Sequence, residues 1–149
     1  TTAGLVISRN PADGAEVTHF LIGGITGGSL FLADGTTAVT AGQYLTVAQG
    51  TAGLRFTPAA DRNGQTDPAF GFDVRAALGT TTAGASGTAA GAVTVTPVND
   101  APTGAVLGNV SVGENSGAYS KSGFLTGVGP GGGPDEATQT VGVTVTAAD

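Results

Sequence analysis

The chain has 149 residues, enough for one domain of ordinary size and part of another. Gly, Ala and Thr supply 27, 24 and 23 of them, and Cys, Met and Trp are absent. With no cysteine and one histidine, the sequence excludes a disulfide framework, a thiolate zinc site and a multi-histidine zinc site. The net charge of −6 argues against nucleic acid and anionic membranes as partners. No apolar run reaches the roughly 20 residues of a membrane span, so no membrane insertion is expected.

Short apolar runs are separated by Gly, Asn, Asp and Pro about every 8 to 12 residues, which is typical of an all-β sandwich with almost no helix. Asp34-Gly35 predicts a tight hairpin turn, and the Gly-, Ala-, Ser- and Thr-rich stretch 79–91 predicts a long loop. Strands are predicted in the first part of the chain at 5–8, 17–25, 29–32, 43–47, 53–57, 69–77 and 92–98. The predicted core consists of Leu21, Leu30, Leu45, Leu54, Phe56, Phe70, Phe72, Val74, Val93 and Val95.

Two prolines, Pro97 and Pro102, bracket an Asn-Asp pair and predict a stiff linker at 99–102. This linker would separate a sandwich at 1–98 from a partial second β unit at 103–149. The second unit offers strands at 109–112 and 139–146 and an apolar pair at 124–125, too few to close a sandwich. We therefore expect another surface to cover it, either its own first unit or a neighbouring copy. Strand addition to a neighbouring copy is the favoured alternative, and the row expected to be covered is Val141, Val143 and Val145.

Three ordered motifs resemble the tandem cadherin-like repeats of giant bacterial surface proteins: FTPAADRNG at 56–64, FGFDV at 70–74 and VTVTPVNDAP at 93–102. VGENSG at 112–117 resembles the opening of the next repeat, for which the first unit has no equivalent. The resemblance implies an immunoglobulin- or cadherin-like sandwich, exported to the cell surface as a stalk or adhesive module. Metazoan cadherin linkers also carry an acidic residue before the Asn-Asp pair and an Asn after it, where this chain has Pro97-Val98 and Ala101.

Calcium takes six to eight oxygen ligands, and a linker between two sandwiches can gather such ligands from both. Asn99 and Asp100 are the first predicted metal ligands, and Glu114 is the third. A bound calcium ion would stiffen the two units against each other. The alternative is that Asn-Asp-x-Pro only forms a turn, with the Asp side chain bonded to its own backbone. Further candidate ligands, each expected to be a solvated surface carboxylate, are Asp73, Asp135 and Glu136.

Catalytic chemistry is not predicted. His19 lies in an alternating strand with no serine elbow, cysteine or second histidine to complete a site, so a surface or edge position is expected. Asp13 with Glu16, or Asp61 with Asp67, could only act as a glycosidase pair in a cleft floored by aromatic residues. The chain has two tyrosines and six phenylalanines, most of them in core phase.

The predicted function is therefore that of a non-enzymatic structural or adhesive repeat of a secreted or bacterial cell-surface protein, acting as a stalk or filament-forming unit. The alternative is a carbohydrate-binding module. That function would need an exposed aromatic platform, for which Tyr44 and Tyr119 are the candidates.

Overall fold

The computed structural model describes residues 2–64 and 69–145, without the side chains of Thr2 and Ala3. The chain divides into two compact units, Thr1–Pro97 and Val98–Asp149. The described residues form ten strands in antiparallel sheets and very little helix, which confirms the all-β, sandwich-like fold class. The strands are β1 (Thr2–Leu5), β2 (His19–Thr26), β3 (Gly28–Leu32), β4 (Ala38–Val39), β5 (Tyr44–Thr46), β6 (Leu54–Pro58), β7 (Gly71–Ala77), β8 (Ala89–Ala92), β9 (Thr103–Val106) and β10 (Leu125–Gly129). The helical segments are a 3₁₀ turn at Pro11–Asp13 and α1 at Val47–Ala52.

The first unit consists of two four-stranded antiparallel sheets, ordered β1-β6-β3-β4 and β5-β2-β7-β8. Residues from both sheets share one hydrophobic cluster, so the apolar face of each sheet is removed from water by the other. The core contains three Phe side chains, and its other members are aliphatic. Its buried members are Ile22, Leu30, Val39, Leu45, Leu54, Phe56, Phe70 and Phe72.

The tight turn predicted at Asp34-Gly35 connects β3 to β4, which pair with Leu30 opposite Val39 and Phe31 opposite Ala38. Asp34 Oδ1 accepts hydrogen bonds from the backbone N–H groups of Thr36 and Thr37, both at 2.8 Å. Gly35 has a φ of 74°, a conformation that costs glycine little. Local turn chemistry was therefore sufficient to locate this hairpin.

The short helix α1 was not predicted, although a signal for it is present in the sequence. Thr46 and Gln49 form a capping box, with Gln49 N–H donating to Thr46 Oγ1 at 3.2 Å and Thr46 N–H donating to Gln49 Oε1 at 2.8 Å. The helix follows β5 directly and places Gly50 against the ring of Phe20. Thr-x-x-Gln before a short apolar run is the pattern that would have indicated this helix.

One strand prediction and the loop prediction of the first unit are wrong at their boundaries. The first strand is β1 rather than 5–8, because beyond Leu5 the chain leaves β6 and Ile7 N–H bonds instead to Gly50 O at 3.0 Å. The end of the stretch predicted as a loop forms β8, which pairs with β7. Its small residues allow a close approach, since a Cβ on Gly91 would lie 3.1 Å from the ring of Phe72.

The strand predicted at 92–98 does not form, and some residues predicted to lie in the core are only partly buried. After β8 the chain follows no ladder, yet Val93 N–H bonds to Phe70 O at 2.8 Å, and Val93 and Val95 pack half-buried on the core. Leu21 is wrong as a core residue. In β2 the alternate residues Phe20 and Ile22 are buried and Leu21 is only half-buried, because the inward face of this strand carries the even-numbered side chains.

The second unit contains a two-stranded antiparallel sheet of β9 and β10, with Leu125 opposite Val106 and Thr126 opposite Ala105. The strand predicted at 109–112 is absent, and 139–145 has no strand structure either, while residue 146 lies outside the described residues. A two-stranded sheet offers no second layer, so its apolar residues stay in contact with water. Those more than half exposed in this unit include Val106, Leu107, Val112, Tyr119, Val143 and Val145.

Candidate cation site

The predicted ligands Asn99 and Asp100 lie at the start of the second unit, in an exposed stretch without regular structure. Asn99 Nδ2 donates to the carbonyl oxygen of Asp100 at 3.0 Å. Between Asn99 and Asp100, the local hydrogen bond from a side chain to the backbone is therefore donated by the Asn99 amide group. The amide oxygen of Asn99 takes no part in that bond and is a hydrogen-bond acceptor.

Glu136 meets Asp100 although 36 residues separate them. It lies in a turn in which its N–H bonds to Gly133 O at 3.2 Å and its carbonyl accepts from Gln139 N–H at 2.8 Å. Its side chain is 1% exposed, and Oε1 accepts the backbone N–H of Asp100 at 2.5 Å. The second carboxylate oxygen, Oε2, is buried without a hydrogen-bond partner.

Two glycines allow the chain to pack closely around Asp100. Gly131 and Gly132 have φ values of 85° and 50°, in the left-handed region that disfavours larger residues. A Cβ on Gly132 would lie 3.0 Å from Cγ of Asp100, and a Cβ on Gly131 would collide with the carbonyl group of Ala101. The glycine-rich run before Glu136 therefore lets the Asp100 carboxyl group and this loop lie in direct contact.

The remaining predicted ligands lie elsewhere. Glu114 occupies an exposed turn of the second unit next to Asn115, whose φ is 64°. Asp73 belongs to β7 of the first unit, where it packs against Gly24 and is half-buried. Asp135 is half-buried beside Glu136. The expectation of a solvated carboxylate is therefore wrong for Glu136, because the glycine-rich turn folds its side chain inward onto the Asp100 backbone.

The described part of the chain contains no group of three or more His, Cys, Asp and Glu residues placed to hold a metal ion. A cation at Asp100 and Glu136 would therefore take its other ligands from backbone carbonyls, amide oxygens or water. Oxygen donors of this kind suit hard cations such as Ca²⁺ and Mg²⁺.

The described residues considered from the sequence as catalytic candidates lie at separate positions in the first unit. His19 is half-buried on the interior strand β2, not at an edge, and its Nδ1 lies 2.9 Å from Thr18 Oγ1. Asp13 is half-buried and Glu16 exposed near the 3₁₀ turn, while Asp61 is exposed and Asp67 lies outside the described residues. Among the described residues of this set, no nucleophile, base and substrate cleft come together.

The two tyrosines proposed as an aromatic platform lie in different units. Tyr44 is half-buried in β5 of the first unit, opposite Leu21 of β2. Tyr119 belongs to the second unit, where its side chain is 57% exposed. It lines an open cleft whose other residues include Asn109, Lys121 and Phe124.

No model of a protein family, no curated protein and no solved structure matches the chain. The likeness to cadherin-like repeats therefore depends on the three sequence motifs alone. Across residues 2–64 and 69–145, no helix is both long enough and apolar enough to cross a membrane.

Proposed function

We propose that this chain is a non-enzymatic structural or adhesive repeat of a secreted or bacterial cell-surface protein. The observation that carries the proposal is the division into two consecutive β units at Pro97 and Val98, directly within the VTVTPVNDAP motif. Serial β-sandwich units joined by short proline-containing linkers suit a stalk, because each unit folds around its own core and adds length to the chain.

The partner we propose is a neighbouring repeat or a second copy of the chain, joined by strand addition through 103–149. The outer edges of β9 and β10 are unpaired with any other described strand. Val106 is 60% exposed and Val145 83% exposed. Unpaired strand edges with exposed apolar side chains favour pairing with another chain, and successive pairing in one direction would form a filament.

A groove in the first unit is a suitable acceptor for such a strand. It has a volume of about 590 Å³ and lies between β1 and β8, each of which is an edge strand of its sheet. Its walls include Leu5, Ile7, Phe72 and Val74, which are apolar side chains that an alternating Val strand could cover.

The proposal is tested with beads coated with the full chain and with sedimentation velocity over a concentration series. Adhesive or filament-forming copies should aggregate the beads and sediment faster as the concentration rises. A Val106→Lys variant places a charge on the exposed sheet of β9 and β10 and should weaken both effects. Leu78→Lys, on an exposed residue of the first unit that does not line the groove, is the matched control. Beads that stay dispersed and a chain that stays monomeric throughout would contradict self-association.

A carbohydrate-binding module is the second candidate, favoured by the exposed ring of Tyr119 in a cleft with an amide and a cation. Aromatic rings stack on the apolar faces of sugars while amide and charged groups bond their hydroxyls. A glycan array with the full chain should then give binding that Tyr119→Ala removes and Tyr44→Ala leaves unchanged. An array without any bound glycan would eliminate this candidate.

A further inference from the structure

The dipeptide Asn63-Gly64 closes the FTPAADRNG motif, and Asn63 is the one asparagine of the chain that glycine follows. The side-chain amide of an asparagine is open to attack by the backbone nitrogen of the next residue. Glycine hinders this attack least, because it has no Cβ and its backbone is the most permissive. Asparagine is among the residues that limit the chemical lifetime of proteins. The sequence thus contains one position at which spontaneous deamidation is intrinsically fast.

The reaction needs only these two residues and water. The Gly64 nitrogen bonds to Cγ of Asn63, the Cγ–Nδ2 bond breaks, and Nδ2 leaves as ammonia with the proton that the Gly64 nitrogen gives up. Water then opens the succinimide ring at one of its two carbonyl carbons, which leaves aspartate or isoaspartate at position 63. The sum is a hydrolysis without any change of oxidation state. The attack requires a free Gly64 N–H and a side chain able to turn its Cγ toward that nitrogen.

The folded chain withholds both requirements. Gly64 N–H donates to Val95 O at 2.9 Å, and Asn63 is buried, with 3% of its surface exposed. The contact at Gly64 is close, because a Cβ on this residue would lie 3.2 Å from the same carbonyl oxygen. The end of the FTPAADRNG motif is thus bonded to the VTVTPVNDAP motif. Asn63 is therefore protected as long as the segment at 93–97 stays on the first unit.

Few contacts hold this protecting segment, residues 93–97, in place. It belongs to no strand, and its backbone bonds to the described residues are the one at Gly64 and the one from Val93 N–H to Phe70 O at 2.8 Å. Val93 and Val95 are only half-buried, and the residues that alternate with them are exposed. Segments with few hydrogen bonds and little buried apolar surface open locally at a lower free energy than the whole domain. We therefore expect residues 93–97 to detach while the sheets of the first unit remain folded.

We infer that Asn63 is a spontaneous deamidation site that becomes reactive when residues 93–97 detach from the first unit. Detachment frees the Gly64 N–H and loosens the turn that carries Asn63. The aspartate product places a charge where the fold buries a neutral amide, and the isoaspartate product adds a methylene carbon to the main chain of the turn. Both products disfavour the return of the segment, so the modification is one-way. This chemistry is independent of the proposed adhesive role.

The experiment incubates the full chain at neutral pH, in native buffer and in guanidinium chloride above its unfolding transition, and follows each asparagine by peptide mass spectrometry. In the unfolded chain, Asn63 should react faster than the other asparagines, which are Asn10, Asn99, Asn109 and Asn115. In native buffer it should react at least about tenfold more slowly than in guanidinium chloride, because the rate follows the population of the open form. No excess reaction at Asn63 in the unfolded chain overturns the site, and equal rates in the two conditions overturn its protection by the fold.

Two variants test whether residues 93–97 control the reaction. Val95→Ala removes half-buried methyl groups that pack on the core, and should raise the native rate by about three- to tenfold while leaving the rate in guanidinium chloride unchanged. Val98→Ala, the same change on a side chain that is 77% exposed just beyond the segment, is the matched control and should react as the wild type does. An unchanged native rate in Val95→Ala, or an equal acceleration in Val98→Ala, contradicts control by this segment.

Amide hydrogen exchange separates local detachment from unfolding of the whole unit. In the wild type, the Gly64 amide should exchange faster than the amides of β2, and Val95→Ala should accelerate exchange at Gly64 more than in β2. If deamidation and exchange at Gly64 instead change in step with exchange in β2, the reaction follows global unfolding and the inferred local opening is wrong.

Discussion

Asp34 illustrates how one exposed side chain can organise a turn. Its carboxylate accepts the Thr37 hydroxyl at 2.5 Å and the backbone N–H groups of Thr36 and Thr37 at 2.8 Å. The Thr37 side chain, then the Thr37 and Thr36 backbone N–H groups, favour the ionised form and lower the pKa of Asp34 from 3.8 to about 2. Hydrogen-bond donors of the same turn thus stabilise the ionised carboxylate of Asp34.

This pKa predicts the pH dependence of the hairpin. Because the folded value lies below the unfolded one, the contribution of Asp34 to stability is full above the unfolded pKa of 3.8 and disappears as the pH falls through about 2. The melting temperature of the wild type should therefore exceed that of Asp34→Asn at neutral pH, with a difference that narrows over this acidic window. In carboxyl-detected NMR titrations, Thr37→Val should raise the pKa of Asp34. A melting difference that persists unchanged down to pH 2 would contradict the proposed cause.

Leu54 provides the corresponding prediction for the core. It is fully buried in β6 between the two sheets, so Leu54→Ala leaves a cavity and should lower the free energy of unfolding by about 2 to 5 kcal/mol in urea denaturation. Leu78→Ala is the matched control, because this leucine is 51% exposed. We expect that variant to change stability by less than about 0.5 kcal/mol. Similar losses in both would mean that Leu54 does not lie in the core.

At the scale of the element, α1 is stabilised by its first turn and by one close packing contact. The capping box of Thr46 and Gln49 satisfies backbone N–H groups that a six-residue helix would otherwise leave to water. Gly50 lies against Phe20, where a Cβ would come within 2.8 Å of the ring. A short helix of this kind depends on such contacts, because so few residues cannot offset the cost of nucleation.

Two substitutions separate these contributions. Thr46→Ala removes the cap and should lower the free energy of unfolding by about 1 kcal/mol, while Thr46→Ser retains the hydroxyl and should change it little. Gly50→Ala should also destabilise the unit, although alanine favours helix, because the added methyl group displaces the buried ring of Phe20. Stabilisation by Gly50→Ala in chemical denaturation would mean that helix propensity outweighs the contact.

At the scale of the whole molecule, the two units differ in how much apolar surface they bury. The first unit has a continuous two-layer core, whereas the second has one two-stranded sheet with exposed Val and Leu side chains. A small sheet without a second layer is marginally stable in water. Amide exchange should therefore be slow in the strands of the first unit and fast in β9 and β10 of the isolated chain.

The size of the chain in solution tests what covers the second unit. The full chain should associate as its concentration rises, and a chain ending at Asp100 should remain monomeric, because it lacks the exposed sheet of β9 and β10 and 139–145. Sedimentation velocity measures both. If both chains are monomeric at high concentration and the amides of 103–145 exchange freely, the proposed assembly is wrong.

Local patterns were sufficient for the fold class and for one turn. Period-two alternation in FGFDV and similar runs, together with Asp34-Gly35, depends on a few neighbouring residues and identifies strands and hairpins wherever they pair. The capping box at Thr46 and Gln49 was equally local and could have been recognised. Strand β8, made of three alanines and one glycine, could not be recognised, because only its packing on Phe72 explains why small residues form a strand there.

The sequence by itself thus determined that the chain is built from short antiparallel strands, since side-chain alternation and turn residues act over distances of a few residues. Tertiary structure decided which face of β2 is buried, with Phe20 and Ile22 inside and Leu21 partly outside. It also decided which carboxylate meets Asp100. Glu114 and Glu136 are equivalent in chemistry, but only the turn after the glycine-rich run brings Glu136 to the Asp100 backbone. Contacts between residues 36 positions apart depend on how the whole unit folds, and no local pattern records them.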